Sequence, residues 1–207
     1  MSNLNVKQRN IIRCFVAVIL TSVNSFAMAQ LNDSQVHKSV VRVHVQKGTF
    51  NGMASGFVWQ KKDKVITSLH ALRPKAKITV MCNNVPYRAS VKKMLKDADL
   101  VLLQTEAPLT DCVPLNRMDP SKPAARSELV AFGYKPSVAA STTKDLKKAS
   151  ASNETLKSLI SETMRQPMQA LKMPSIDLPV YFVTGGIYKG YSGGPVMNTA
   201  GNLIGIV

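Results

Sequence analysis

The chain has 207 residues, 45% of them hydrophobic, and a formal charge of +15. That length suits one or two domains and is ample to bury a core. The cations are scattered, as in Lys61, Lys62 and Lys64, Lys92, Lys93 and Lys96, and Lys144, Lys147 and Lys148. No aromatic residues interleave them to stack on bases, which argues against a specific nucleic-acid interface. They read as a solvated basic surface, with at most weak attraction to anionic envelope surfaces.

Residues 1–29 have the pattern of a secretory signal. Lys7, Arg9 and Arg13 precede the apolar run Cys14–Leu20, and the small-residue site Ala27-Met28-Ala29 stands before Gln30. Polar Thr21, Ser22, Asn24 and Ser25 interrupt the run well short of the roughly 20 apolar residues that a membrane span needs. Cleavage is expected after Ala29, giving a secreted or periplasmic chain with no transmembrane anchor. Losing three cations and no acids lowers the charge from +15 to +12.

Leu31–Lys38 is polar and reads as a leader. Val41, Val43 and Val45 alternate with Arg42 and His44, the period of a half-buried strand. Gly56–Gln60 opens a second strand, Lys61–Lys64 a charged hairpin tip, and Val65–Thr67 a return toward the core. Ile78–Cys82, Val85–Ser90 and Leu100–Thr105 continue at short spacing, with Asn83-Asn84 as a turn. Many short strands with turn signals argue for an all-β barrel or sandwich. Residues 116–127, with Pro120 and Pro123, read as a linker. Glu128–Tyr134 is the next strand. Over about 153–172 the texture turns helical, with Asn153 as a cap, Glu154 in the first turn, and Leu156, Leu159, Ile160 and Met164 on one face. That apolar face is expected to pack on the scaffold. Leu178–Thr184 resumes the β pattern.

Of the three cysteines, Cys14 leaves with the signal. Cys82 and Cys112 remain, and in an oxidising compartment a disulfide between them is the default. It would close a loop holding the strand that follows Asp99. Neither cysteine has a ligand-spaced partner, and His37 and His44 lie far off in sequence, so no metal and no cofactor is expected.

Gly190-Tyr191-Ser192-Gly193-Gly194-Pro195 constrains function most. Its first five residues fit G-x-S-x-G, which an α/β-hydrolase places on a strand-to-helix elbow, with acid and histidine following. Only fifteen residues follow Ser192, and none is His, Asp or Glu. Gly193, Gly194 and Pro195 are also poor residues for opening a helix. In the other arrangement the histidine comes first, then the acid, then the serine. Val65-Ile66-Thr67-Ser68-Leu69-His70 is an apolar run ending on a histidine. Asp97-Ala98-Asp99-Leu100-Val101-Leu102-Leu103 is an acid leading into a buried-type strand.

With those segments the chain resembles the trypsin-like (chymotrypsin-fold) serine peptidases. VITSLHAL is similar to their histidine segment, DLVLL to their aspartate segment and GYSGGPV to their nucleophile loop. The nearest relatives resemble bacterial envelope members of the HtrA/Deg type, and the likeness runs from about Val40 to Val207. It implies a double six-stranded β-barrel. The first barrel spans about 38–115, and the second, over about 128–207, is incomplete and carries the helical insertion. Family members continue past the strand matching Gly201–Val207 into a segment that pairs with substrate, so the chain reads as a portion of a longer product.

The resemblance implies a peptidase acting on polypeptides, with Ser192 as nucleophile and His70 as the base that activates it. Asp99 would orient the imidazole. Asp97 is the rival acid, and Asp99 is preferred because it abuts the apolar strand. The N–H groups of Gly190 and Ser192 would form the oxyanion hole. One departure concerns Tyr191, which stands where digestive-type members carry an aspartate that pairs with a freshly cut N-terminus. Tyrosine cannot make that ion pair, so loop ordering by substrate or partner is the expected replacement. From Leu178 to Val207 there is no Asp or Glu, which points to an apolar or small side chain at the cleavage position.

Overall fold

The computed structural model describes residues 33–119, 123–148, 154–159, 161–163, 165, 174–181 and 183–207. All fall within one compact unit, Leu31–Val207. The expected signal segment lies outside the described residues, as do Asn153, Ile160, Met164 and residues 166–172 of the expected helical insertion.

A short helix, α1 (Asp33–Ser39), leads into the first strand. The described part of the expected polar leader, from Asp33 on, is thus helical, and Val36 within it is buried, 4% exposed, against Val40, Phe57 and Phe132. Six strands follow: β1 (Val40–Lys47), β2 (Phe50–Val58), β3 (Lys64–Ser68), β4 (Lys77–Cys82), β5 (Val85–Leu95) and β6 (Leu100–Thr105). They close into a barrel in the order β1-β2-β3-β6-β5-β4. Pairing of β1 with both β2 and β4 closes it, and the alternation read in β1 fills its interior. Val41, Val43 and Val45 point inward, and Val65, Val80, Val101 and Leu103 meet them from the other strands. Cys82 and Cys112 are bonded, with Cα atoms 6.0 Å apart, and both are buried.

The chain then crosses to β7 (Glu128–Gly133), β8 (Thr142–Lys148), β9 (Glu154–Thr155), β10 (Pro179–Val180), β11 (Val183–Thr184), β12 (Pro195–Asn198) and β13 (Leu203–Ile206). Among the described residues these form an open five-stranded sheet, β11-β8-β7-β12-β13, and a small β10-β9 pair. The architecture is thus mostly β, a closed six-stranded barrel beside a second sheet. Glu154 lies in strand β9 rather than in a first helical turn, and the helix that follows it covers Leu156–Leu159.

A shared apolar layer of Val40, Phe57, Phe132, Tyr134, Met197 and Leu203 joins the barrel to the sheet. Arg42 adds polar ties across the same seam. Its guanidinium lies 4.7 Å over the Tyr134 ring and donates to the carbonyls of Val138 and Ala139 at 3.0 and 2.8 Å. The seam fixes the end of β3 against the loop between β11 and β12.

Candidate active site

Strand register brings the first two site residues together. β3 pairs with β6 so that Ser68 faces Leu100, which sets the residues just after Ser68 beside those just before Leu100. The chain leaves β3 through a 3-10 turn, Leu69–Ala71, whose first residue is buried and whose N–H donates to the Asp99 carbonyl at 2.8 Å. Asp99 closes a second such turn, Lys96–Ala98, in a left-handed conformation (φ 53°, ψ 33°). Aspartate tolerates that region better than most residues with a Cβ. The twist aims its carboxylate back at the histidine. Oδ1 accepts the His70 backbone N–H at 2.8 Å, and Oδ2 accepts from Nδ1 at 2.5 Å.

Of the two acids considered, only Asp99 faces His70. Asp97 instead contributes its carbonyl to the Ser175 N–H, 3.0 Å away. The carboxylate bond raises the His70 pKa above its ordinary value, against partial burial and the nearby Arg73 cation, both of which lower it. The Nε2 edge is left for other chemistry, since the imidazole is about half exposed.

The serine loop is positioned by Ser55, which neither composition nor motif marks. Ser55 is fully buried on β2. Its N–H donates to the Ser192 carbonyl at 2.9 Å, and its hydroxyl donates to the Gly190 carbonyl at 2.7 Å. The same hydroxyl accepts the Tyr134 N–H at 2.8 Å, while the Ser55 carbonyl accepts from Thr67 Oγ1 at 2.6 Å. One buried residue therefore ties the loop to the strand that delivers the histidine. Gly193, at φ +85°, lies so close that a Cβ there would run into the Ser55 carbonyl, Thr67 Oγ1 and the Ser68 nitrogen. Ser68 is two residues from His70. The serine loop thus sits on the end of β3.

Gly190 adopts φ +94°, and a Cβ there would meet the Tyr134 carbonyl. Glycine satisfies both constraints at once. Among the described residues, the N–H groups of Gly190 and Ser192 have no hydrogen-bond partner in the protein, whereas those of Tyr191, Gly193 and Gly194 do. Such a pair of unengaged donors can receive an oxyanion. The described residues include no hydrogen bond between Ser192 Oγ and His70, a contact that in many enzymes tightens only when substrate arrives.

Tyr191 is fully buried, with its hydroxyl 2.6 Å from Thr142 Oγ1. Its ring lies against Gly133, where a Cβ would collide with it. The position expected to be ordered by substrate or partner also has an internal anchor, made of shape and a hydroxyl pair. Toward the surface, Tyr188 packs on Tyr191 at 5.6 Å between ring centroids, and Lys135 Nζ caps Tyr188 at 3.7 Å. Among the described residues no group of three or more His, Cys, Asp or Glu side chains is placed to hold a metal, and no helix is long and apolar enough to cross a membrane.

A closed barrel carrying a His–Asp pair, beside a second sheet carrying a glycine-framed serine loop, is the plan of the trypsin-like proteins. The trypsin-like peptidase domain family matches residues 54–206, well over half of the chain, and the chain belongs to that family. Solved structures share the fold. The inactive form of the Rv3671c protease is 20% identical with a TM-score of 0.66, over 84% of this chain and 78% of that one; a related structure of it is assigned to M. tuberculosis. The serine endoprotease from Yersinia pestis is 18% identical (TM-score 0.62), over 88% of this chain and 57% of its own. The MamO protease domain from Magnetospirillum magneticum is 21% identical (TM-score 0.60), over 83% of this chain and 84% of that one. No curated protein matches the sequence.

Proposed function

We propose that the chain is a serine endopeptidase that hydrolyses peptide bonds through an acyl-enzyme. Ser192 Oγ attacks the scissile carbonyl while His70 Nε2 takes its proton, and His70 then returns that proton to the leaving amine. Water, activated by the same imidazole, releases the acyl group. Asp99 holds the imidazole with Nδ1–H toward it and stabilises the imidazolium. The N–H groups of Gly190 and Ser192 receive the negative charge that develops on the carbonyl oxygen, a contribution of about 2.7–4 kcal/mol per donor. The observation that carries this reading is the two-point grip of Asp99 on His70, made at the end of the strand on which the serine loop is seated.

The finer assignments rest on the sequence pattern. The chain is a bacterial envelope member of the HtrA/Deg type, secreted or periplasmic after cleavage following Ala29. It cuts after an apolar or small residue, in keeping with Gly185, Gly186 and Ile187 and with the lack of Asp and Glu from Leu178 to Val207. The anchorage of Tyr191 supports a nucleophile loop ordered without an inserted N-terminus. A second reading, a peptidase-like binding or regulatory module with little turnover, is favoured by the lack of a Ser192–His70 hydrogen bond among the described residues.

A fluorophosphonate probe separates the two. The full chain should label, and Ser192→Ala should abolish labelling. Labelling that survives the substitution overturns the choice of nucleophile. A chain that binds unfolded peptides, resists the probe and cuts no member of a peptide library is the module instead.

A further inference from the structure

Beside His70 the first barrel opens into a groove of about 740 Å³. Its floor is apolar and nearly buried, made by Leu72, Ile78 and Ala89, each no more than 9% exposed. Its wall is β5, where Val91 and Met94 stand 41% and 51% exposed. Residues three apart on a regular strand point to opposite faces. Here they line one groove, because the β5–β6 register shifts between Val91 and Lys93. A bulge of this kind re-aims side chains, and bulges recur next to active sites. The strand is thus built to present two large apolar side chains to one opening.

The rim has one sign of charge. Arg73, Lys75 and Lys96 line the groove and no acid does. Arg73 is held in place by donating to the His70 and Leu72 carbonyls at 3.0 and 2.9 Å. Among the described residues, none of the three cations is in an ion pair with a carboxylate. Lys92 and Lys93 add exposed cations on the same strand. An apolar floor calls for an apolar side chain, and an unanswered cationic rim calls for carboxylates around it.

We propose that this groove is a polypeptide-binding subsite that takes a large apolar side chain flanked by acidic residues. As a claim about substrate it rests on the peptidase reading above, because His70 itself lines the groove. An occupant there lies next to the group that handles the serine's proton, which favours a peptide over a lipid. The groove selects acidic-apolar segments of the substrate, apart from whichever side chain stands at the cleavage position.

The test measures equilibrium binding to the full chain carrying Ser192→Ala, which needs no turnover. The probe is a fluorescein-labelled octapeptide, Glu-Asp-Glu-Leu-Phe-Glu-Asp-Glu, read by anisotropy. Replacing Leu-Phe by Ser-Ser in the peptide should weaken binding by roughly 10- to 100-fold, the loss expected when a buried apolar side chain is withdrawn. Val91→Asp/Met94→Asp in the protein should do the same, and Lys75→Glu/Lys96→Glu should weaken binding and flatten its salt dependence. Circular dichroism melts confirm that each variant is folded. Because these side chains are exposed, the single changes Val91→Ser and Met94→Ser provide milder versions with the same expected direction.

Equal affinity for the Ser-Ser peptide, unchanged affinity in the folded Val91→Asp/Met94→Asp chain, or no binding at millimolar protein overturns the proposal. So does a chain that ignores the peptide and binds phosphatidylglycerol vesicles through the same residues, which would make the groove a lipid site. Failure of the unsubstituted chain to react with a fluorophosphonate counts against the peptidase reading alone, since the binding assay does not use Ser192.

Discussion

The first barrel and the second sheet are held together by different means. In the barrel every strand has a partner on both sides, and Val41, Val43, Val45, Val65, Val80, Val101 and Leu103 fill the interior at 1% exposure or less. The second sheet is open among the described residues, and beyond the shared seam its own buried cluster is Leu129, Ala131, Leu146 and Tyr191. Its serine loop is seated on the barrel through Ser55 and Gly193, and Tyr191 anchors it within the sheet against Gly133 and Thr142. The proposed acid and base thus stand on the rigid barrel, while the proposed nucleophile is placed by docking. Damage to the first pair should lower the rate and spare the fold, whereas damage to the loop's anchors should lower both.

The largest expected effect belongs to the rigid side. Asp99→Asn should reduce kcat on the order of 10⁴-fold, because the imidazole loses the partner that fixes its tautomer. The melting temperature should move little. Asp97→Asn, whose carboxylate does not face His70, should stay within about twofold, as a surface change away from such contacts usually does. Steady-state cleavage of one peptide substrate by both variants decides the matter. A greater loss from Asp97→Asn would mean that the acid has been misassigned.

On the docked side, Tyr191→Ala removes the largest fully buried side chain among the described residues and should destabilise the fold by about 3–5 kcal/mol, as other aromatic-to-alanine changes in cores do. Tyr191→Phe keeps the packing against Gly133 and loses only the Thr142 contact, about 0.5–1.5 kcal/mol. Urea melts give the stabilities, and the rate of fluorophosphonate labelling reads the loop. Both quantities should fall in the order wild type, Phe, Ala. A labelling rate that ignores Tyr191 would show that another contact orders the loop.

Breaking the barrel's covalent tie provides the contrast. Cys82→Ser/Cys112→Ser opens a loop with a sequence separation of 30 and should reduce stability by about 3–4 kcal/mol. The protein that remains folded should label at the wild-type rate, since neither cysteine touches the serine loop. Two variants of similar instability, one slow to label and one not, would separate position from mere folding.

The residues proposed for the site were legible in the sequence, and the contacts that hold them were not. His70 and Asp99 could be read because each ends or begins an apolar strand, and Ser192 because glycines frame it. Cys82 and Cys112 could be paired by count. Ser55 and Thr67 gave no signal, because hydroxyl residues are ordinary in strands and their value here comes from long-range partners. The nearest hint was Gly56, since a glycine inside a strand often marks close backbone approach. The left-handed turn that brings the Asp99 carboxylate to His70 has no pattern in one dimension. Leu31–Lys38 looked like a leader because it is polar, yet Val36 and Ser39 are buried and His37 packs edge-on against Phe132, which docks the helix Asp33–Ser39. The groove beside His70 was hidden for a related reason: the shift in β5 changes which side chains share a face.

The smallest effect is a shift along the pH axis, and it also reports on the rigid pair. The carboxylate of Asp99 favours the imidazolium and holds the His70 pKa above 6.5, while partial burial and Arg73 pull it down. A raised folded value means that this pair's contribution to stability is fully present below the unfolded value near 6.5. It is lost as pH rises through the higher folded value. Catalysis needs the neutral imidazole as base, so kcat/KM should climb over that same window, with its acid limb centred above 6.5. Asp99→Asn removes the favourable carboxylate and should move the limb down. Arg73→Ala removes a repelling cation and should move it slightly up. Profiles of kcat/KM against pH for the three chains, taken with melting temperatures at each pH, test both signs together. A wild-type limb at or below 6.5, or one that does not respond to Asp99→Asn, would show that the titration belongs to a group other than His70.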